Sequence, residues 1–169
     1  RRFLFSQHIA YNESMTKFIV IAAVIVLAAG IYYTGVYTYF LQSEVREEMP
    51  KMGEADKAEM KIGTRGKFVD VDFIHKGSGD ALILEYPGKK ILRLENFKVT
   101  NGPDLYVYLA KSSSPGGSVK SLGDFIDLGR LKGNIGDQNY ELPDNADGYN
   151  SVVIWCKKFG VLFSYAVLI

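Results

Sequence analysis

Cysteine is nearly absent from these 169 residues: there is one, Cys156, beside two histidines, His8 and His75, and one tryptophan, Trp155. A single thiol excludes an internal disulfide, a Cys-based zinc or iron–sulfur site built from one copy, and haem attachment through a Cys-x-x-Cys-His run. Net charge is nearly absent too. The 20 basic and 19 acidic residues leave +1, and no basic stripe replaces the missing excess, so no nucleic-acid partner is expected. Chemistry-bearing motifs are equally scarce. Gly77-Ser78-Gly79 lacks the third glycine of a nucleotide loop, Gly116-Gly117-Ser118 lacks the surroundings of a nucleophile elbow, and Asp144 to Gly148 lacks the spaced ligands of a calcium loop. No nucleophile, base and orienting residue stand at a defensible spacing, and no metal site is expected. The chain is not expected to be an enzyme on its own.

What is present first is a long uncharged run. Arg1 to Lys17 reads as an N-terminal tail, and residues 18–41 as a transmembrane helix. Phe18 to Ile31 is apolar apart from glycine and alanine, and the run is long enough to cross a hydrocarbon layer roughly 30 Å thick. Tyr32, Tyr33, Tyr37 and Tyr39 follow as an aromatic belt. Ala28-Ala29-Gly30 offers small residues for signal cleavage, but apolar sequence continues beyond them, which favours an uncleaved anchor. Lys17 on one side and Arg46 and Lys51 on the other leave the positive-inside count nearly balanced. A short head and a long following domain place the domain outside the cytoplasm, on a single-pass protein of the cell membrane.

Residues 42–62 alternate acid and base and read as a charged, partly helical stalk interrupted at Met49-Pro50. Met49, Met52 and Met60 are soft-metal ligand types, but methionine is also a common gap-filler, and packing is the reading adopted. From residue 63 to 169 the pattern is β, with about eight short strands at the spacing of a sandwich or barrel. Pro87-Gly88-Lys89 marks a hairpin, Asn101-Gly102-Pro103-Asp104 a turn, and Ser112 to Ser121 a mobile loop. The predicted fold is therefore all-β, a sandwich or barrel-like domain tethered by one N-terminal transmembrane helix.

Ser151-Val152-Val153-Ile154-Trp155-Cys156 is the predicted central strand. Alternation puts Val152, Ile154 and Cys156 on one face and Val153 and Trp155 on the other, both apolar and both covered. Cys156 then reads either as a buried hydrophobe or as a reactive thiol, the second only if a lysine ammonium approaches it. Alternation sends Lys157 to the opposite face. His75 reads as a loop hydrogen-bonder.

Seven segments together resemble a known family: Phe73 to Gly79, Leu92 to Phe97, Asn101 to Leu105, Ile126 to Gly129, Leu131 to Asn134, Gly136 to Pro143 and Ser151 to Cys156. They are similar, in order and over about residues 66–168, to the DM-thirteen domain that accompanies DOMON domains in Skeletor-like proteins. The resemblance implies an extracytoplasmic β domain taking part in electron transfer. It further implies that Cys156 serves as a redox thiol or as ligand to a bound group such as haem, for which His75 is the sole imidazole in the domain available as a distal ligand. No DOMON segment is present, so an electron-transfer partner would be a separate protein. The rival expectation is an envelope binding module in which Cys156 is structural. Its binding loops would be Asn101, Gly102, Pro103 and Asp104, with Gly136, Asp137, Gln138 and Asn139, and its partner another envelope protein or a glycan.

Overall fold

The computed structural model describes residues 2–50 and 60–169, with side chains from residue 13 onward. It divides after Tyr37 into two compact units. The first is a helix, α1 (Arg2–Thr34), so the segment read as a tail is helical from Arg2 onward. Within it the 22-residue segment Glu13–Thr34, whose most apolar 18-residue stretch has mean hydropathy 2.2, is long and apolar enough to cross a membrane. The helix stops at Gly35, whose φ of +74° is the left-handed conformation that glycine supplies at low cost. The Gly35 amide closes back onto the carbonyls of Ile31 and Tyr32. Of the predicted anchor, residues 18–41, Thr38 to Leu41 group with the second unit.

That unit is a curled half-barrel of nine strands among the described residues: β1 (Glu44–Arg46), β2 (Lys61–Asp70), β3 (Gly77–Tyr86), β4 (Lys89–Val99), β5 (Leu105–Ala110), β6 (Phe125–Arg130), β7 (Ile135–Leu142), β8 (Ser151–Cys156) and β9 (Val161–Val167). Their order across the sheet is β1-β7-β4-β3-β2-β9-β8-β5-β6. Neighbours are antiparallel except β1 and β7, which run parallel. The curl is centred on β2. Its stretch from Lys61 to Lys67 pairs with β3 and its last three residues, Phe68 to Asp70, pair with β9. At the crossing, a Cβ on Gly66 would lie 2.1 Å from the Val167 carbonyl oxygen, so only glycine lets the two backbones approach.

Inside the curl lies the main core, with Phe68, Leu92, Leu94, Phe97, Val107, Leu109, Val152, Ile154, Cys156 and Phe163 among its members. Phe68 and Phe97 meet edge-on at 4.8 Å. On the outer side a second cluster joins Val153 and Trp155 to Tyr108, Ala110, Leu122 and Leu162. The two faces of β8 therefore divide as alternation predicts. The cover for the outer face comes from the segment expected to be a mobile loop. Its short 3₁₀ turn, Val119–Leu122, drives Leu122 to complete burial, and the Ser151 hydroxyl donates to the Ser112 carbonyl at 2.7 Å.

The eight predicted strands appear as β2 to β9, and β1 is additional. Glu44–Arg46, expected in a solvated stalk, instead extends the sheet because Ser43 and Glu47 are drawn into it. The Ser43 amide donates to Asn134 Oδ1 at 2.7 Å, and Glu47 accepts from the Asn139 amide and from Lys132 Nζ. Behind them the buried Arg93 guanidinium donates to Glu95, Asp137 and Asn139 and to the carbonyls of Glu47 and Glu48. Met60 packs against Leu84, Tyr86 and Ile91, whereas Met52 lies outside the described residues.

Candidate functional site

Cys156 ends β8 opposite Leu105 of β5 and Val161 of β9, and it is wholly buried. The four-residue turn that follows, Lys157 to Gly160, is closed by the Gly160 amide donating to the Cys156 carbonyl at 2.9 Å, with Gly160 at φ +64°. The backbone amides that act electrostatically on the sulfur are those of Phe159 and Lys158 in this turn and that of Asp104 before β5. Burial pushes the Cys156 thiol up, because the anion has lost its water. The amides oppose that shift, and the Asp104 carboxylate reinforces it. The thiol form therefore dominates at neutral pH. Lys157 faces away as alternation requires: its ammonium pairs with Asp127 at 2.6 Å and stands 3.5 Å from the Tyr106 ring centre.

His75 sits at the same end of the sheet. Asp72 Oδ1 accepts the amides of Ile74 and His75, each at 2.7 Å, and Oδ2 accepts from His75 Nδ1 at 2.7 Å. The imidazole hydrogen bond, then the amides, hold the Asp72 carboxyl down at about 2. This makes His75 the loop hydrogen-bonder that the sequence suggests. Its ring centre lies 4.4 Å from that of Phe163.

Tyr39 completes the constellation. Its ring packs on Phe163 at 5.7 Å and approaches His75 at 6.5 Å. Burial raises its hydroxyl pKa, and the negative charges of Cys156 and Asp72 raise it further, so the phenol lies within electrostatic reach of both. Sequence reasoning placed Tyr39 in a membrane belt and passed over Asp72. The signals were there: Gly35 as a helix stop, and the Asp72-x-x-His75 spacing of a side-chain-capped turn.

A haem held by Cys156 would need an apolar slot opening on the sulfur. The sulfur is enclosed by core side chains and turn amides, and His75 Nδ1 is taken by Asp72 while its ring is wedged against Phe163. Nearby lies a groove of about 290 Å³, lined by residues including Tyr39, Lys76, Asn101 and Asn134, but neither Cys156 nor His75 borders it. These residues, as packed, do not fit a haem.

The expected binding loops separate. Asn101 to Asp104 is a half-buried turn: Asn101 Nδ2 donates to the Leu41 carbonyl, the Gly102 amide to Asn101 Oδ1, Pro103 follows, and Asp104 pairs with Arg130 at 2.7 Å. Gly136, Asp137, Gln138 and Asn139 form no loop, because they lie within β7. Gln138 is fully buried, bonded to the Gly133 carbonyl and to Tyr140 Oη, while Asp137 and Asn139 are engaged by Arg93. The glycine at 136 and the amide side chains serve the β1–β7 junction.

No curated protein and no solved structure matches the chain. A family model described as electron transfer DM13 matches residues 67–168, more than half of the 169, from within β2 to the end of β9 and enclosing Asp72, His75 and Cys156. The chain belongs to the electron transfer DM13 family.

Proposed function

We propose that the chain is a membrane-anchored, extracytoplasmic electron-transfer domain whose redox side chain is Cys156. The observation that carries this reading is a thiol wholly buried in the core at the end of β8, inside a family described by electron transfer. Burial selects among redox chemistries. Thiol–disulfide exchange and sulfenic acid formation both require a reagent to reach the sulfur, whereas an electron leaves through the protein. In the proposed step, an oxidised metal centre of a separate envelope protein takes one electron from the sulfur, and the thiol proton leaves to solvent. A reduced partner returns the electron as the proton rebinds, so each cycle leaves the thiol unchanged. The apolar helix Glu13–Thr34 supplies the anchor.

The test is titration of the full chain with a one-electron inorganic oxidant. The wild type should consume one equivalent more than Cys156→Ala at equal folded fraction. Equal consumption would sink the redox reading. Complete burial and the raised pKa also favour a second reading, a binding module with a structural Cys156. It predicts that Cys156→Ala loses thermal stability and nothing else.

A further inference from the structure

One end of the β unit carries large apolar side chains that the fold leaves in water. Phe40 is 86% exposed and Phe73 85%, with Leu41, Ile74 and Phe159 also exposed. They come from three separate segments. Topology brings these together: Asp70 pairs with Ser164, so the turn after β2 and the turn before β9 lie at the same end of the sheet. The Thr100 hydroxyl donates to the Ile74 carbonyl, and Thr100 lines a common groove with Phe40 and Leu41. Two loop tips and the end of the 3₁₀ turn Val36–Phe40, each presenting an exposed phenylalanine, exceed the scattered apolar surface of an ordinary domain.

We infer that this tip inserts into the interfacial zone of a lipid bilayer, with Phe40, Leu41, Phe73, Ile74 and Phe159 as the wedge. The inference rests on the membrane-anchored reading. Chain length argues for this occupant. Only Gly35, Val36 and Tyr37 separate the end of α1 from the β unit, and three residues reach at most about 11 Å. A domain on so short a leash, entered through Thr38 to Leu41, can bring that end to the bilayer without extending its chain. Charge argues the same way. Asp70 is paired with Lys76 at 3.0 Å, Asp104 with Arg130 at 2.7 Å, and Asp72 with its turn amides and His75, so the carboxylates around the tip enter the interface already compensated. Docked in this way, the end that holds Tyr39, His75 and Cys156 faces lipid.

The experiment uses the full chain reconstituted into phosphatidylcholine vesicles brominated in the upper acyl chain. Phe73→Trp reports the tip and Phe125→Trp the opposite end of the sheet, since Phe125 pairs with Ala110 at the far end of β5. Emission of Trp155 in the unsubstituted chain is subtracted. Interfacial segments sit roughly 5–10 Å into the headgroup and acyl boundary, and bromine there should quench F73W severalfold more than F125W. Adding Phe40→Ser to F73W should reduce the quenching. Equal quenching of the two reporters, or none of either, overturns the inference. F73W emission that changes with protein density and not with bromine assigns the tip to a second copy and overturns it as well. Flotation of the chain with vesicles reads the anchor separately, so a failed anchor and a failed wedge give different results.

Discussion

The most informative perturbation is Tyr39→Ala, read by alkylation of Cys156. Two barriers protect the thiol. A free cysteine of pKa about 8.5 is roughly 3% ionised at pH 7, and burial holds Cys156 below that. The second barrier is access, because the sulfur is wholly covered and must wait for an opening. Tyr39 packs on Phe163 and lies close enough to feel the Cys156 charge. Removing a fully buried large aromatic ring costs about 3–5 kcal/mol. Tyr39 is only partly buried, so about half of that, roughly 1.5–2.5 kcal/mol, is the reasonable loss. If the ring must leave before the sulfur is reached, the open population rises by about 10- to 70-fold, and a slow alkylating reagent reports it directly. A destabilised variant also unfolds globally more often, so a control is needed. Leu122→Ala removes a fully buried side chain on the outer face of β8 and costs at least as much, about 2–5 kcal/mol. The expected result is faster alkylation in Tyr39→Ala than in Leu122→Ala, at matched stability in denaturant. Should the two rates scale only with lost stability, the sulfur is reached by global unfolding, and Tyr39 gates nothing.

Two further expectations follow from the same geometry. The Asp72 carboxyl is held at about 2 by its hydrogen bond from His75 and by the turn amides, against about 3.9 in an unfolded chain. A depressed acid contributes stability that is present above pH 4 and lost as pH falls toward 2. Thermal melts of Asp72→Asn should therefore be less sensitive to acid in that window than those of wild type, and parallel curves would refute the assignment. Gly136 adopts φ +104°, and a Cβ there would lie 1.9 Å from the Val45 carbonyl oxygen. Gly136→Ala should thus displace β1, raising hydrogen exchange at residues 44–46 while β8 and β9 remain protected.

The sheet was legible because its signals are local. Alternation in Ser151 to Cys156, the Pro87-Gly88-Lys89 hairpin and the turn at Asn101 to Asp104 each depend on a few neighbouring residues. What escaped was decided by partners far away in sequence. Glu44 to Arg46 has the composition of a stalk and becomes a strand only because Asn134, Asn139 and Lys132 satisfy its neighbours. The amide-rich run from Gly136 to Asn139 has the composition of a binding loop, yet Arg93 and the carbonyls of Gly133 and Glu48 consume its polar groups. Tyr39 escaped for a related reason. Its place beside an apolar helix gives no sign of its packing partner, Phe163, which lies well over a hundred residues away. His75 fared better, since its partner Asp72 is within one turn.

The parallel β1–β7 junction has a consequence for the order of synthesis. Ser43 and Asn134, bonded at 2.7 Å, are 91 residues apart. At a translation rate of about 5–20 residues per second, β1 waits roughly 5–20 s for the strand it pairs with. During that interval the apolar segment Glu13–Thr34 has already been made. Once β7 arrives, its outer edge is a row of open amides and carbonyls of the kind on which sheets aggregate. The strand that seals this edge is the first of the β unit, so a molecule severed between β1 and β2 can shed it, keeping its core and core thiol but exposing a sticky border.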